Sequence, residues 1–482
     1  MTFDSDTPPS DPYPLDTAVP TEADTFTGAV EVVPAEVPPL TGAIDVVPAE
    51  VPPLTGAIDV VPTEVAPLTG AIDVVPAEVA PLTGAIEVVD HTPTGAIGVV
   101  DPADDWQAPP NLHWSMQHMA EFLPVRTIAA AEKPLNLPSV PADLGRIEVS
   151  HPWEHRSAPF EDVMAATHTD GWMISRDGAV MGEQYVDTLR PETLHLLMSV
   201  SKSLTTSVAG ALMGTGELDA GALVTSYVPA LAGSGYEGAR VRDLLDMRTG
   251  VHFSEAYLDE NAEVRLLEQA IGWAPRRHPD APGTLLDFLA SLRADGEHGG
   301  RFDYKSCETD TLAFVLEGAT GVHAADLMSQ RLWAPMGARF GANVGVDSVG
   351  AGMFDGGVSA TLQDLVRFGT LFLRDGAALD GRQVLPEWWV AETVAGGPDS
   401  RAAFANAAEP TLMPGGMYRN GFWFPYPGSD VFLALGIHGQ MVYINRPAMV
   451  VAAKLSTWPT PQDAEKLLWT VKAFDAVARA IA

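Results

Sequence analysis

Apolar side chains recur every fourth residue at Val200, Leu204, Val208 and Leu212, the stripe of a helix laid against a core. Ser199 stands where that helix begins, and Gly214 and Gly216 where it stops. Upstream, residues 171–186 read as two short strands joined by a turn at Arg176-Asp177-Gly178. Residues 241–250 carry the pattern of a short helix closed by Gly250. Residues 285–292 and 311–316 are further helical runs, and 362–373 follow a Gly-rich loop over 355–361. Near the end, 431–437, 441–445 and 449–456 are strand-like, with a turn at Arg446-Pro447. The final run, with Thr460 as N-cap and Pro461 behind it, sets Leu467, Leu468, Val471, Phe474, Val477 and Ile481 on one helical face. Strands at both ends with helices between predict an α+β fold, its sheet assembled from distant segments and not from serial βαβ units.

The first quarter follows another pattern. From Thr27 the chain repeats every fourteen residues, with copies starting at Thr41, Thr55, Thr69 and Thr83 and a truncated one at Thr94. Each unit has a Val-Val pair in a short β-prone run interrupted by proline, and no aromatic side chain to bury. The period is shorter than that of the familiar solenoids. Residues 1–103 are therefore expected to be a disordered, extended, acidic tail, a solubilising spacer with no legible partner. A short-motif adaptor or a small β-stack is the competing idea. Trp106, Trp114, His118, Glu121 and Phe122 mark the start of a folded domain over 104–482, with proline-rich connecting sequence to about Pro159.

Charge narrows the partners. The net charge is −35, and the first 125 residues hold twenty acidic side chains and no Lys or Arg. Such a chain repels phosphate backbones and anionic lipid, so a nucleic-acid or membrane partner is not expected. The single cysteine, Cys307, allows no intrachain disulfide. No basic, apolar leader opens the chain and no apolar run is long enough to span a bilayer, so a cytoplasmic location is expected.

Lys202 is odd for its setting. The chain has only six lysines, and this one falls on a mostly apolar helix, while the others sit among polar neighbours or near element ends. It lies three residues after Ser199, so both side chains share one helical face. Lost hydration favours a neutral amine, which can take a hydroxyl proton, and the helix N-terminus favours the resulting negative charge. Ser-x-x-Lys alone is expected about once by chance in a chain of this length.

Three further groups surround it in chemistry. Tyr304, followed by Ser306 in a loop leading into a helix, offers a phenolate that could shuttle a proton between Ser199 and a leaving group; a surface turn with a half-buried tyrosine is the alternative. Gly436-Ile-His-Gly-Gln440 ends a strand, where the Ile437 and Ser199 N–H groups could form an oxyanion hole, or the glycines a structural bulge around His438. The 355–361 loop reads as structural. Tyr443 lies in strand-like alternation and reads as core. No Gly-x-Ser-x-Gly elbow, Ser-His-Asp spacing or metal-ligand cluster is present, so neither metal nor cofactor is expected.

In that order, Ser199-Val-Ser-Lys202, Tyr304-Lys-Ser306 and Gly436-Ile-His-Gly-Gln440 resemble the penicillin-recognising serine hydrolases. Within the class C β-lactamase-like group the chain is most similar to the 6-aminohexanoate-dimer hydrolase branch. The segments 106–121, 198–203, 244–250, 356–361 and 455–459 share the likeness, which spans about 104–482. It implies an antiparallel sheet flanked by helices, packed against a mostly helical region. Ser199 would be acylated, Lys202 would activate it and Tyr304 would relay the proton. Tyr257 and Trp423 would close over substrate, and Ser306 and His438 would line its site. One departure matters: Ala434 and Leu435 stand where the family's Lys-Thr-Gly motif has its lysine and threonine. Losing a charge-assisted contact worth about 1.5–3 kcal/mol argues against β-lactam selectivity. The expected activity is cleavage of small carboxylic esters and linear amides, with Glu268 and the Asp355 loop as pocket positions that tune amide activity. A D-amino-acid peptidase and a non-catalytic binding module of the same fold are the alternatives.

Overall fold

A computed structural model describes residues 105–277, 281–409, 411–428 and 430–482. The expected tail over 1–103, with its repeats, lies outside the described residues. The hairpin falls where the turn residues put it: Thr169–Arg176 (β1) and Ala179–Tyr185 (β2) flank Asp177 and Gly178, both at positive φ. A two-residue hairpin of right-handed twist requires that conformation, which Asp and Gly adopt at little cost.

Five later strands complete the sheet: Met417–Arg419 (β3), Phe422–Phe424 (β4), Val431–Gly436 (β5), Gln440–Asn445 (β6) and Val450–Ser456 (β7). The order is β2-β1-β7-β6-β5-β4-β3, antiparallel throughout, so β1 closes on β7 from far away in sequence, with Trp172 opposite Lys454. Strand alternation separates two cores. Val451, Ala453 and Leu455 of β7 join one core with Phe368 and Phe372, while Val450 and Ala452 join the other with Phe474 and Val477.

Four long helices carry the rest: Val200–Gly214 (α1), Ser306–Thr320 (α2), Leu362–Leu373 (α3) and Ala464–Ile481 (α4). The fold is α+β, an antiparallel sheet flanked by helices and joined to a region of mostly short helices. A second sheet orders Val125–Ile128, Ala342–Gly345, Val358–Ala360 and His195–Leu196. Its last pair, His195 with Ala360 and Leu196 with Ser359, ties the chain just before Ser199 to the chain just after Asp355.

Several elements depart from the sequence expectation. The helix predicted over 241–250 ends at Leu245; the Asp246 carboxylate turns to Arg419 and Met247 takes φ +54°. Gly250 instead permits backbone contact, since a Cβ there would stand 2.0 Å from the Gly296 carbonyl oxygen. The last helix is capped by Asp463, which accepts the Lys466 N–H at 3.0 Å, and not by Thr460. Helix α1 is buried all round from Val200 to Leu212, beyond its apolar stripe. Its other faces are hydroxyls with backbone partners: Ser203 donates to Gly421, Thr206 to Asn420, and Ser201 accepts the Val358 N–H. Nor is Lys202 alone in burial, because Lys305 and Lys454 are equally enclosed.

Candidate active site

Ser199 occupies the N-cap of α1, but its hydroxyl makes no capping bond. Met198 before it is held at φ +48°, an unusual conformation for a side chain with a Cβ, which turns the chain sharply from His195–Leu196 into α1. Lys202, one helical turn on and 1% exposed, places Nζ 2.8 Å from Ser199 Oγ. The same amine lies 3.0 Å from Ser306 Oγ, 2.8 Å from the Asp355 carbonyl oxygen and 3.6 Å from Asp355 Oδ2. Three oxygens therefore lie within hydrogen-bond range of this amine, and a carboxylate stands close by.

Tyr304 comes from the loop that enters α2. Its hydroxyl is hydrogen-bonded to Ser199, and its ring centroid is 5.1 Å from Lys202 Nζ. Burial above all, then the Glu255 carboxylate, pushes this hydroxyl well above the ordinary tyrosine range, against the opposing bond to Ser199. It rests as a phenol, ready to donate, and not as the phenolate expected from sequence. Trp423 lies against its ring, with centroids 5.2 Å apart at 36°, and is backed by Phe302, Phe404 and Tyr418.

The far wall of the site depends on close approach at Gly436. A Cβ there would fall 2.5 Å from the Leu197 carbonyl oxygen and 3.1 Å from Met198 Cβ, so only glycine lets β5 end against the turn before Ser199. Ile437 follows at once. Its carbonyl accepts from Gln440 Nε2 at 3.3 Å, and the Gln440 amide also bridges the Ser456 backbone at 2.7 and 3.1 Å. His438 is buried at φ +59°, and its Nδ1 donates to the Trp458 carbonyl at 2.7 Å. Burial lowers its pKa to about 4, so the ring is neutral and holds the loop in place.

Ser306, expected to touch substrate, has its hydroxyl on Lys202 and its N–H on Glu255. Tyr257 is half-buried and hydrogen-bonded to Glu255, whose own pKa is raised by burial against the opposing pull of Lys202. Glu268 is held by both Arg265, at 2.8 and 2.9 Å, and Gln107, at 2.8 Å. Ser199, Lys202, Tyr304 and Ser306 thus meet at one amine, with Tyr257, Trp423 and the Ile437–His438 turn around them.

The sequence reading misses Glu255 and Asp310, and it takes the Asp355 loop as structural by its pattern and as a pocket position by resemblance. No sequence signal marked Asp310, which sits among polar residues, Glu308-Thr-Asp-Thr311, ahead of the apolar run of α2. Among the described residues, no group of three or more His, Cys, Asp or Glu side chains could hold a metal ion, and no helix is long and apolar enough to cross a membrane.

Known proteins carry the same arrangement of chain. The family model described as Beta-lactamase matches residues 156–476. A 6-aminohexanoate-dimer hydrolase of Paenarthrobacter ureafaciens is 36% identical over 368 residues, which is 76% of this chain and 91% of that one. A Bacillus anthracis structure, named as a candidate 6-aminohexanoate-dimer hydrolase, superposes with a TM-score of 0.73 at 23% identity, covering 80% of this chain and 98% of the other. EstCE1, a hydrolase with promiscuous acyltransferase activity, shares the fold at a TM-score of 0.52 and 16% identity, over 66% of this chain and 98% of its own.

Proposed function

The chain belongs to the Beta-lactamase family of hydrolases, and from that premise we propose that it cleaves carboxylic esters and short linear amides through an acyl-enzyme on Ser199. One observation carries the reading: Lys202 Nζ stands 2.8 Å from Ser199 Oγ while the Tyr304 hydroxyl bonds to the same residue. Lys202 Nζ takes the proton as Ser199 Oγ attacks the substrate carbonyl. The Ser199 and Ile437 N–H groups receive the oxyanion. On collapse, the Tyr304 phenol gives its proton to the leaving alkoxide or amine and regains one from the Lys202 ammonium. Water then attacks the acyl-serine by the reverse route, returning the hydroxyl and a carboxylic acid.

A small apolar acyl group suits a site walled by Tyr257, Trp423 and Ile437. Amides of the 6-aminohexanoate-dimer kind enter as substrates to test because a relative is named for that reaction. β-Lactams are poor candidates, since Ala434 and Leu435 supply no cation for their carboxylate. We assign the activity to residues 104–482, so deletion of 1–103 leaves the rate intact.

The test is hydrolysis of p-nitrophenyl butyrate, with a fluorophosphonate label located by mass spectrometry. Activity that disappears in Ser199→Ala, with the label on Ser199, is expected. An unlabelled Ser199 in an active wild type would overturn the mechanism, and a wild type without any esterase or amidase activity would overturn the function. Nitrocefin and D-alanyl peptides in the same panel separate this reading from a peptidase.

A further inference from the structure

Behind Lys202 lies a pair of acids that the mechanism above does not use. Asp310, on α2, is fully buried, and its Oδ1 accepts the N–H groups of Phe354 at 2.8 Å and Asp355 at 3.0 Å. Its Oδ2 is buried with no hydrogen-bond partner. Asp355 is also buried; its Oδ2 faces Lys202 Nζ at 3.6 Å, and its Oδ1 likewise has no partner. Two adjacent carboxylates thus each leave one oxygen out of water without a donor. Ionised carboxylates only accept, so with both charged neither oxygen can be satisfied by the other. A proton on the pair turns one of the two orphaned acceptors into a donor.

We infer that Asp310 and Asp355 share a single proton, so that the pair presents one negative charge to Lys202, resident on Asp355, with Asp310 as a protonated positioning residue. The surroundings agree. Burial first, and then the charge of Asp355, pushes Asp310 well above the usual carboxylate range, while Lys202 and the two backbone N–H groups oppose this. Glu268, Tyr257 and Tyr304 also feel Asp355, and burial raises all three, while Glu255, likewise raised by burial, faces Lys202. In the proposed reaction Lys202 becomes an ammonium when it takes the Ser199 proton. A single charge on the pair offsets that cation.

Infrared spectroscopy of the full chain tests the shared proton whatever the identity of the nucleophile. With aspartate labelled by 13C at its side-chain carboxyl carbon, a protonated-carboxyl band at pH 7 should shift with the label and vanish in Asp310→Asn. Asp246 is the other described aspartate whose pKa is raised, and Asp246→Asn removes its contribution. A labelled band that persists in Asp246→Asn supports the proposal even where Asp310→Asn does not fold. No labelled band in the wild type, or one unchanged by Asp310→Asn, overturns it.

The kinetic arm rests on the Ser199–Lys202 reading. In the pH profile of kcat/KM, Asp355→Asn should move the acid limb lower by about one unit, because an amine that loses one of its neighbouring anions sheds its proton more readily, even with Glu255 still facing it. Asp310→Asn, whose amide still donates, should leave the limb in place. Equal movement in both variants would put the charge on both acids and overturn the assignment. An enzyme with the infrared band but no hydrolysis would instead sink the proposed function and leave the shared proton standing.

Discussion

Lys202 and Lys454 are both buried, and the amine of each meets a serine hydroxyl, Ser199 for one and Ser456 for the other. Their surroundings differ. Lys202 has Ser306, the Asp355 carbonyl and the Asp355 carboxylate within reach, at the positive end of α1 and against the Tyr304 ring. Lys454 projects from β7 onto the Thr167 carbonyl and over the Trp458 ring, with no described carboxylate within ion-pair distance. Burial lowers its pKa to about 7. Ser456 is wholly enclosed, whereas Ser199 is 9% exposed. Burial alone can make a lysine neutral. A nucleophile also needs an open hydroxyl, a charge that offsets the ammonium and a phenol that passes the proton on.

The largest test of that difference is removal of the reactive pair. Ser199→Ala or Lys202→Ala should lower kcat about a thousandfold to a millionfold, and the double variant should lose little more than either, as groups acting together do. Steady-state hydrolysis of p-nitrophenyl butyrate measures both. Additive losses would mean that the two side chains act separately. Tyr304→Phe comes next. It keeps the ring against Trp423 and Lys202 but removes the donor, so kcat should fall about a hundredfold to ten-thousandfold. The loss should be greater for an amide than for a p-nitrophenyl ester, whose leaving group needs no proton. Equal losses on the two substrates would remove Tyr304 from the relay.

The Ser199–Lys202 half of the site was legible because its spacing is local, one turn of one helix. Tyr304 arrives from a loop about a hundred residues on, and no spacing argument reaches it; the order of three motifs supplied it. Asp310 was hidden because an acid in the polar first turns of a helix, beside Glu308, Thr309 and Thr311, looks like a surface position until the fold covers it. Lys454 was missed for a related reason. The strand β7 is buried on both faces, so it lacks the alternation that would have marked which of its side chains point inward. The sheet itself was visible, since its hairpin turn and strand ends are signalled by Asp177-Gly178 and Gly436, but the capping by Asp463 was not distinguishable from capping by Thr460.

Lys454 sharpens the comparison through stability. Its folded pKa is about 7 and its ordinary value 10.5, so between these the unfolded chain holds a proton that the folded chain lacks. Stability therefore rises with pH across that window, by about 1.4 kcal/mol per unit for one proton. Below pH 7 both states are protonated and the cost of the buried cation is at its full value. Urea unfolding of wild type and Lys454→Met, kept below about pH 9 where phenols are still almost wholly protonated, should show a slope reduced by one proton in the variant. The same slope in both would mean that Lys454 keeps its proton when buried.

The smallest effect on rate belongs to Ser456. Its hydroxyl contacts Lys454, while its backbone N–H and carbonyl hold the two ends of the Gln440 amide, which in turn meets the Ile437 carbonyl. Ser456→Ala removes the hydroxyl and leaves those backbone bonds in place. It should therefore cost about 1–3 kcal/mol of stability, as a buried amine loses one partner, while kcat changes less than about threefold, within the range of an indirect effect. Gln440→Ala separates the two roles of this region, because it frees the Ile437 carbonyl without touching Lys454. A fall in kcat there beside an unchanged rate in Ser456→Ala would assign the strand ends to the oxyanion side and exclude the second Ser–Lys pair from the chemistry. If Ser456→Ala instead matched Ser199→Ala in lost activity, the contrast between the two lysines would be wrong, and the reactive hydroxyl would have to be sought beside β7.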